Sequence, residues 1–190
     1  MRKNFLGAFR PFLQRGCVGV RAGVTVVLYG VFFGIGLLIM GLGGISEAKA
    51  DVSGPVCVEN GNVISVNGRR HAGTCVDGTV VRLYGVKAPP LDQNCQIGGD
   101  EVWRCGLASA AALLQAVQGQ HVECRGNSND NKGRLVAICF VVGRSLNQFM
   151  VEMGWAGADK AVSTMFVEFE ADARAAKRGL WSSNYQPRKD

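Results

Sequence analysis

Six cysteines fall in the last 140 residues of this 190-residue chain: Cys57, Cys75, Cys95, Cys105, Cys124 and Cys139. Thiols at such density either hold a metal or pair with one another. A zinc site wants four thiolate or imidazole ligands at short spacings such as C-x-x-C. No such pair occurs, and the two histidines, His71 and His121, stand at no ligand spacing from any cysteine. Zinc is therefore not expected, and an even count reads as three disulfides in an oxidising compartment. Other chemistry-bearing groups are sparse. Arg69-Arg70-His71 reads as a solvated basic turn, and Trp103, Trp155 and Trp181 as packing residues rather than base-stacking platforms.

The elements that must carry these residues begin after a distinct leader. Arg2, Lys3, Arg10, Arg15 and Arg21 precede Gly23–Ser46, which carries no charge, and Ala48-Lys49-Ala50 comes next. A basic start, an apolar middle and a small-x-small end read as a secretory signal peptide. The alternative is a membrane anchor over residues 24–45, because about 20 apolar residues span a bilayer. Both readings export residues 51–190, since the arginines stay on the cytoplasmic side. The expected division is a leader, 1–50, and a domain, 51–190, that is periplasmic or secreted and meets a membrane only if the leader is retained. The split also removes an apparent nucleic-acid signal. The whole chain has 21 basic and 15 acidic residues, but residues 51–190 hold 15 and 14. A net charge of +1 on the domain argues for no broad phosphate-binding surface.

Within the domain, Val63–Val66 and Thr79–Val86 read as strands bounded by turn residues, and Pro89-Pro90 stops the second. Residues 101–118 read as a helix with Leu107, Ala110, Leu114 and Val117 on its inner face. Two further strands are expected at 121–124 and 135–142, with a polar loop at 125–133 between them. Ser145 caps a short helix with Leu146, Phe149, Met150 and Met153 inward. Residues 165–178 make a last helix with Phe166, Phe169 and Ala173 inward, before a frayed tail at 182–190. The class is α+β. Six cysteines allow fifteen connectivities. Neighbouring positions on these elements favour Cys57–Cys75, Cys95–Cys105 and Cys124–Cys139.

Five segments, in order, resemble one family. They are Val80-Val-Arg-Leu-Tyr-Gly-Val-Lys-Ala-Pro-Pro90, Cys105-Gly-Leu-Ala-Ser-Ala-Ala-Ala112, Asp130-Asn-Lys-Gly-Arg-Leu-Val-Ala137, Leu146-Asn-Gln-Phe-Met-Val-Glu-Met-Gly-Trp-Ala156 and Ala173-Arg-Ala-Ala-Lys-Arg-Gly-Leu-Trp181. Together they are similar to the staphylococcal nuclease-like, or thermonuclease, family. The resemblance implies a five-stranded oligonucleotide-binding (OB) type barrel with three packed helices. It also implies calcium-assisted phosphodiester hydrolysis, in which two carboxylates bind the metal, a glutamate activates water and two arginines hold phosphate.

Carried across, the arginines are Arg82 and Arg134, and the carboxylates are missing. Asn62 stands at the first metal-ligand position, Lys87 at the second and Pro90 at the position of the general base; Lys132 replaces a tyrosine. Asp77-Gly-Thr79 is a rival to Asn60-Gly-Asn-Val63 for the stretch that carries the first metal ligand, but it lies too close to Arg82. Asp92 is a substitute base only if it leaves the solvated loop. A site that loses three carboxylates and gains a lysine suits neither calcium nor a general base. The expected function is binding of phosphate, of a nucleotide or of single-stranded nucleic acid, without cofactor and without cleavage. An active phosphodiesterase with a rearranged site and a structural or protein-interaction domain are the alternatives.

Overall fold

The computed structural model describes residues 51–187; the expected leader, 1–50, and the last three residues lie outside the described residues. The main sheet has seven strands: β1 (Asp51–Gly54), β2 (Val56–Asn60), β3 (Val63–Val66), β4 (Thr79–Leu83), β5 (Val122–Asn129), β6 (Leu135–Val141) and β7 (Arg144–Ser145). Their order is β1-β5-β6-β4-β3-β2, with β7 hairpinned onto β6. The mixed α+β class expected above is present, but strands β1 and β2 are edges that do not pair with each other, so the five-stranded OB-type barrel implied by the resemblance is corrected to an open seven-stranded sheet. All neighbours are antiparallel except β4 and β6, which run parallel with Arg82 opposite Val136. A parallel pair needs a long crossover. Here the chain between them supplies a helix and β5.

Alternation sets which side chains face inward. In β4, Val81 and Leu83 are fully buried while Arg82 between them points to the other face. In β3, all four residues are buried. The core joins these strands to Leu113 and Val117 of α1 (Cys105–Val117), Leu146 and Met150 of α2 (Leu146–Glu152) and Phe166. Ser145 Oγ caps α2 by accepting from the Gln148 N–H at 3.2 Å.

Several elements differ from the sequence reading. The helix expected from residue 101 starts at Cys105, because Val102–Trp103 pairs as a short strand with Cys95–Gln96. Its inner face is turned: Ala110, Leu113 and Val117 are buried, whereas Leu107 and Leu114 are 45% and 49% exposed. Cys105, fully buried and disulfide-bonded to Cys95, begins the helix on the buried side. The loop expected at 125–133 is mostly strand, since β5 extends to Asn129 across a bulge near Gly126. Arg69–His71 is paired antiparallel with Thr74–Val76 rather than forming a turn. Met153, expected inward, is 43% exposed. The last helix, α3, spans Val167–Ala175, with Ala173 buried. The described part of the tail is docked, not frayed: Tyr185 is buried against Trp181, ring centroids 5.1 Å apart.

Disulfides join Cys57 to Cys75, Cys95 to Cys105 and Cys124 to Cys139. The last links directly opposed residues of β5 and β6 within the core. Three disulfides in one small domain point to an oxidising, extracytoplasmic location. Among the described residues, no helix is long and apolar enough to cross a membrane.

Candidate phosphate-binding site

Three segments meet around one open cavity of about 440 Å³: the β2–β3 turn, the stretch from β4 to Gln93, and the turn into β6. Arg82, Lys87, Arg134, Asn62 and Pro90 all line it. The two arginines and the three substituted carboxylate positions carried over from the resemblance therefore converge, with Lys132 among them, although the chain scatters them from residue 62 to residue 134. Asp92 and Asp77 do not line it. Asp77 instead pairs with Arg69, 3.0 Å away on the exposed hairpin.

Close backbone approaches position the three segments. A Cβ on Gly61 would lie 1.9 Å from Ser109 Oγ of α1 and 2.8 Å from the Ala88 Cβ, so only glycine lets the β2–β3 turn seat there. A Cβ on Gly106 would lie 1.8 Å from the Pro90 carbonyl oxygen. That glycine brings the first turn of α1 onto the loop carrying Lys87 and Pro90. The Gln93 carbonyl then accepts from the Gly106 N–H at 3.1 Å. The parallel strands are bracketed by Asn147, which is fully buried. Its side chain accepts from the Cys139 N–H at 2.9 Å and donates to the carbonyls of Tyr84 and Ala137 at 2.9 and 3.1 Å. A fully satisfied buried amide of this kind fixes the register that sets Arg82 opposite Val136, two residues beyond Arg134.

Both arginines have carboxylate partners that the sequence did not reveal as such. Arg82 Nη2 donates to Asp159 Oδ2 at 3.0 Å, with the two side chains 20% and 9% exposed. Arg134 Nε donates to Asp130 Oδ2 at 2.7 Å and Nη2 lies 2.6 Å from the same oxygen. Asp130 Oδ1 accepts from the backbone N–H groups of Lys132 and Arg134. Burial pushes the Asp130 carboxyl up, but these hydrogen bonds and the guanidinium charge outweigh it and hold the pKa at about 2. Asp130 had a signal, since it opens the motif that ends in Arg134. Asp159 had none, because its partner is 77 residues away in sequence.

A second cavity, about 540 Å³, lies on the other side of Arg82 and Lys87 and is bordered by Asp159, Lys160, Glu170 and Arg174. Glu170 is nearly fully buried yet ionically satisfied, with Lys160 Nζ at 3.2 Å and Arg174 Nη2 at 2.9 Å.

Residues 80–183, more than half of the chain, match the family model described as staphylococcal nuclease homologue. The chain belongs to that family. It is also similar to the succinoglycan biosynthesis protein ExoI of Rhizobium meliloti (strain 1021), with 27% identity over 137 residues. That match covers 70% of this chain and 66% of the relative, just under two thirds of its length.

The residues of this nuclease homologue do not fit a calcium ion. Calcium takes six to eight hard oxygen ligands, mainly carboxylates. Asn62 offers one amide oxygen, and its Nδ2 donates to the Val86 carbonyl at 2.8 Å. Lys87 brings a positive charge, and Pro90 has no side-chain oxygen. Among the described residues the one carboxylate lining the cavity, Asp130, is committed to Arg134 and two backbone donors. Among the described residues, too, no three His, Cys, Asp or Glu side chains gather as a metal-binding group. What the cavity offers is positive charge in a partly enclosed space: Arg82, Lys87, Lys132 and Arg134 line it with one carboxylate, Asp130, while Asp159 pairs with Arg82 from outside the lining. Guanidinium forks match phosphate oxygens and strengthen where water is partly excluded.

Proposed function

We propose that this nuclease-family domain is exported, binds phosphate groups in the Arg82–Lys87–Arg134 cavity without metal, and does not hydrolyse phosphodiesters. Its ligand class is a nucleotide or single-stranded nucleic acid. The observation that carries the reading is the convergence of these three cations on one cavity that has, among the described residues, no uncommitted carboxylate. Anions gain there from charge, while a dication meets Lys87 where the family resemblance implies a carboxylate. At about 4 Å and an effective dielectric of about 20, one unit charge acts on another with about 4 kcal/mol. Replacing an acid by Lys87 therefore works against a dication strongly. Pro90 has no group to take a proton from water, so general-base help is missing as well.

The test has two arms. Incubation of single-stranded substrate with the protein, with calcium and with chelator, should give cleavage at background in both. Retention of a fluorescent oligonucleotide should fall with rising salt, because phosphate contacts release counterions, and should survive chelation. Arg82→Ala together with Arg134→Ala should abolish it. Calcium-dependent cleavage abolished by chelator overturns the proposal in favour of a rearranged active site. The Arg82–Asp159 and Arg134–Asp130 pairs favour a second reading, in which both arginines brace the sheet in a structural or protein-interaction domain. Unchanged oligonucleotide retention in the double variant would select it.

A further inference from the structure

Helix α1 carries no charged residue along Cys105–Val117. A surface helix ordinarily turns charged or polar side chains to water. Here the outward face shows Leu107 and Leu114, each nearly half exposed, with Ala111 exposed between them. Arg104 and Gln118, both exposed, continue the row at its two ends. From Arg104 through Leu107, Ala111 and Leu114 to Gln118 the row advances by alternate steps of three and four residues. That spacing is the seam along which one helix packs against another.

The row is also complementary to itself. A twofold axis through Ala111 sets Leu107 of one copy on Leu114 of the other and brings the two Ala111 methyls together at the crossing. A small residue there lets the helix axes approach to the short end of the usual range, about 8 Å. The ends match as well. Each Arg104 guanidinium meets a Gln118, whose amide oxygen is an acceptor for it. A parallel pairing would instead set Arg104 against Arg104, two like charges, and would align the helix dipoles rather than oppose them. An isologous contact needs a patch that fits its own copy, and in the antiparallel sense this one does.

We infer that the outer face of α1 is a self-association surface, through which two copies of this chain pair as antiparallel helices about Ala111. The inference goes beyond the phosphate-binding reading and stands apart from it. A helix of 13 residues is about 20 Å long, and such a strip buries less than the roughly 1,200 Å² at which standard interfaces begin. The pairing is therefore weak and set by concentration.

Sedimentation equilibrium of the purified, disulfide-intact protein, from about 10 μM to about 1 mM, tests it. The apparent mass should rise from that of one chain toward that of two. Leu107→Glu alone and Leu114→Lys alone each press a charge onto a leucine of the other copy and should weaken association about tenfold or more. The chain carrying both substitutions sets the new carboxylate of one copy on the new ammonium of the other, at both ends of the contact. It should regain association to within about fivefold of the unaltered protein, and that regained association should fall with salt. Within one chain the two positions are about 10 Å apart along the helix axis, so rescue reports a contact between copies. Both side chains face solvent in the single chain, and urea unfolding of each variant checks that the fold is kept. A protein that stays monomeric throughout overturns the inference. Association unchanged by either single substitution overturns it too, since the contact then lies elsewhere. Loss in the single variants without recovery in a folded double variant refutes the antiparallel pairing, and with it the inference.

Discussion

Asp159→Asn separates the two roles open to Arg82. The substitution keeps the shape of the side chain, and the Asp159 backbone N–H still donates to the Gly85 carbonyl at 2.9 Å. What it removes is one negative charge 3.0 Å from the guanidinium. An anion docked on the free edge of Arg82 would sit roughly 6 Å from that carboxylate. At an effective dielectric of about 20, the repulsion is about 3 kcal/mol per unit charge. The cavity is open to solvent and ions, which reduces the figure by about half. Relief of about 1.4 kcal/mol is a tenfold gain in phosphate affinity. The same change leaves a half-desolvated guanidinium with a weaker partner. Arg82 is 20% exposed and rehydrates in part, so stability should fall by about 1–2 kcal/mol rather than the 3–5 kcal/mol of a fully buried pair. Calorimetric phosphate titration and urea unfolding on the same preparation give both numbers. Tighter binding with lower stability is the expected signature. Unchanged or weaker binding by a folded Asp159→Asn protein would refute the placement of an anion on Arg82.

Other consequences can be measured independently. Asp130 titrates low in the folded chain, at about 2 against an ordinary 3.8, so its contribution is complete above about pH 4 and is lost as pH falls through 2. Asp130→Asn should flatten that part of the acid-unfolding curve, by on the order of 1 kcal/mol after solvent screening. Burial raises the Tyr185 hydroxyl pKa well above the usual tyrosine value, the Glu170 charge raises it further and Arg174 opposes. Glu170→Gln should therefore bring one tyrosine to a lower titration midpoint in ultraviolet absorbance, and cost about 1–3 kcal/mol through two weakened ion pairs. Replacing Cys57 and Cys75 together by serine opens a loop of sequence separation 18 and should cost about 3 kcal/mol in urea unfolding.

Local signals carried much of this molecule. The strands around Val63 and Val80 and the Ser145 cap depend on neighbours in sequence, and they lie where alternation and capping put them. The site positions were legible through motif order, which brought residues 62, 82, 87, 90 and 134 to one cavity. What stayed hidden is tertiary. The rotation of α1, which exposes Leu107 and Leu114, goes with the buried Cys105 and the Gly106 approach to Pro90, and the helix's own periodicity did not show it. The extension of β5 to Asn129 through polar residues is imposed by its partner β6, since Arg125-Gly-Asn-Ser-Asn has no strand pattern of its own. Asp159 as the partner of Arg82 is a fact about surroundings that no spacing encodes. The open sheet departs from the barrel for a similar reason, because edge closure depends on how far strands bend rather than on their composition.

The parallel pairing of β4 with β6 has a kinetic consequence. Arg82 and Arg134 come from opposite ends of a segment of about fifty residues, and they stand together only once that loop is closed. Closing it restricts the chain before the contacts that reward it are made, so this pairing is expected late on the route to the native state. A phosphate ligand then has nothing to hold in the transition state. In stopped-flow chevrons, added ligand should lower the unfolding limb and leave the folding limb where it was. The same holds for a protease encountering a partly opened chain: ligand would protect by lengthening the lifetime of the closed molecule, not by hastening its return.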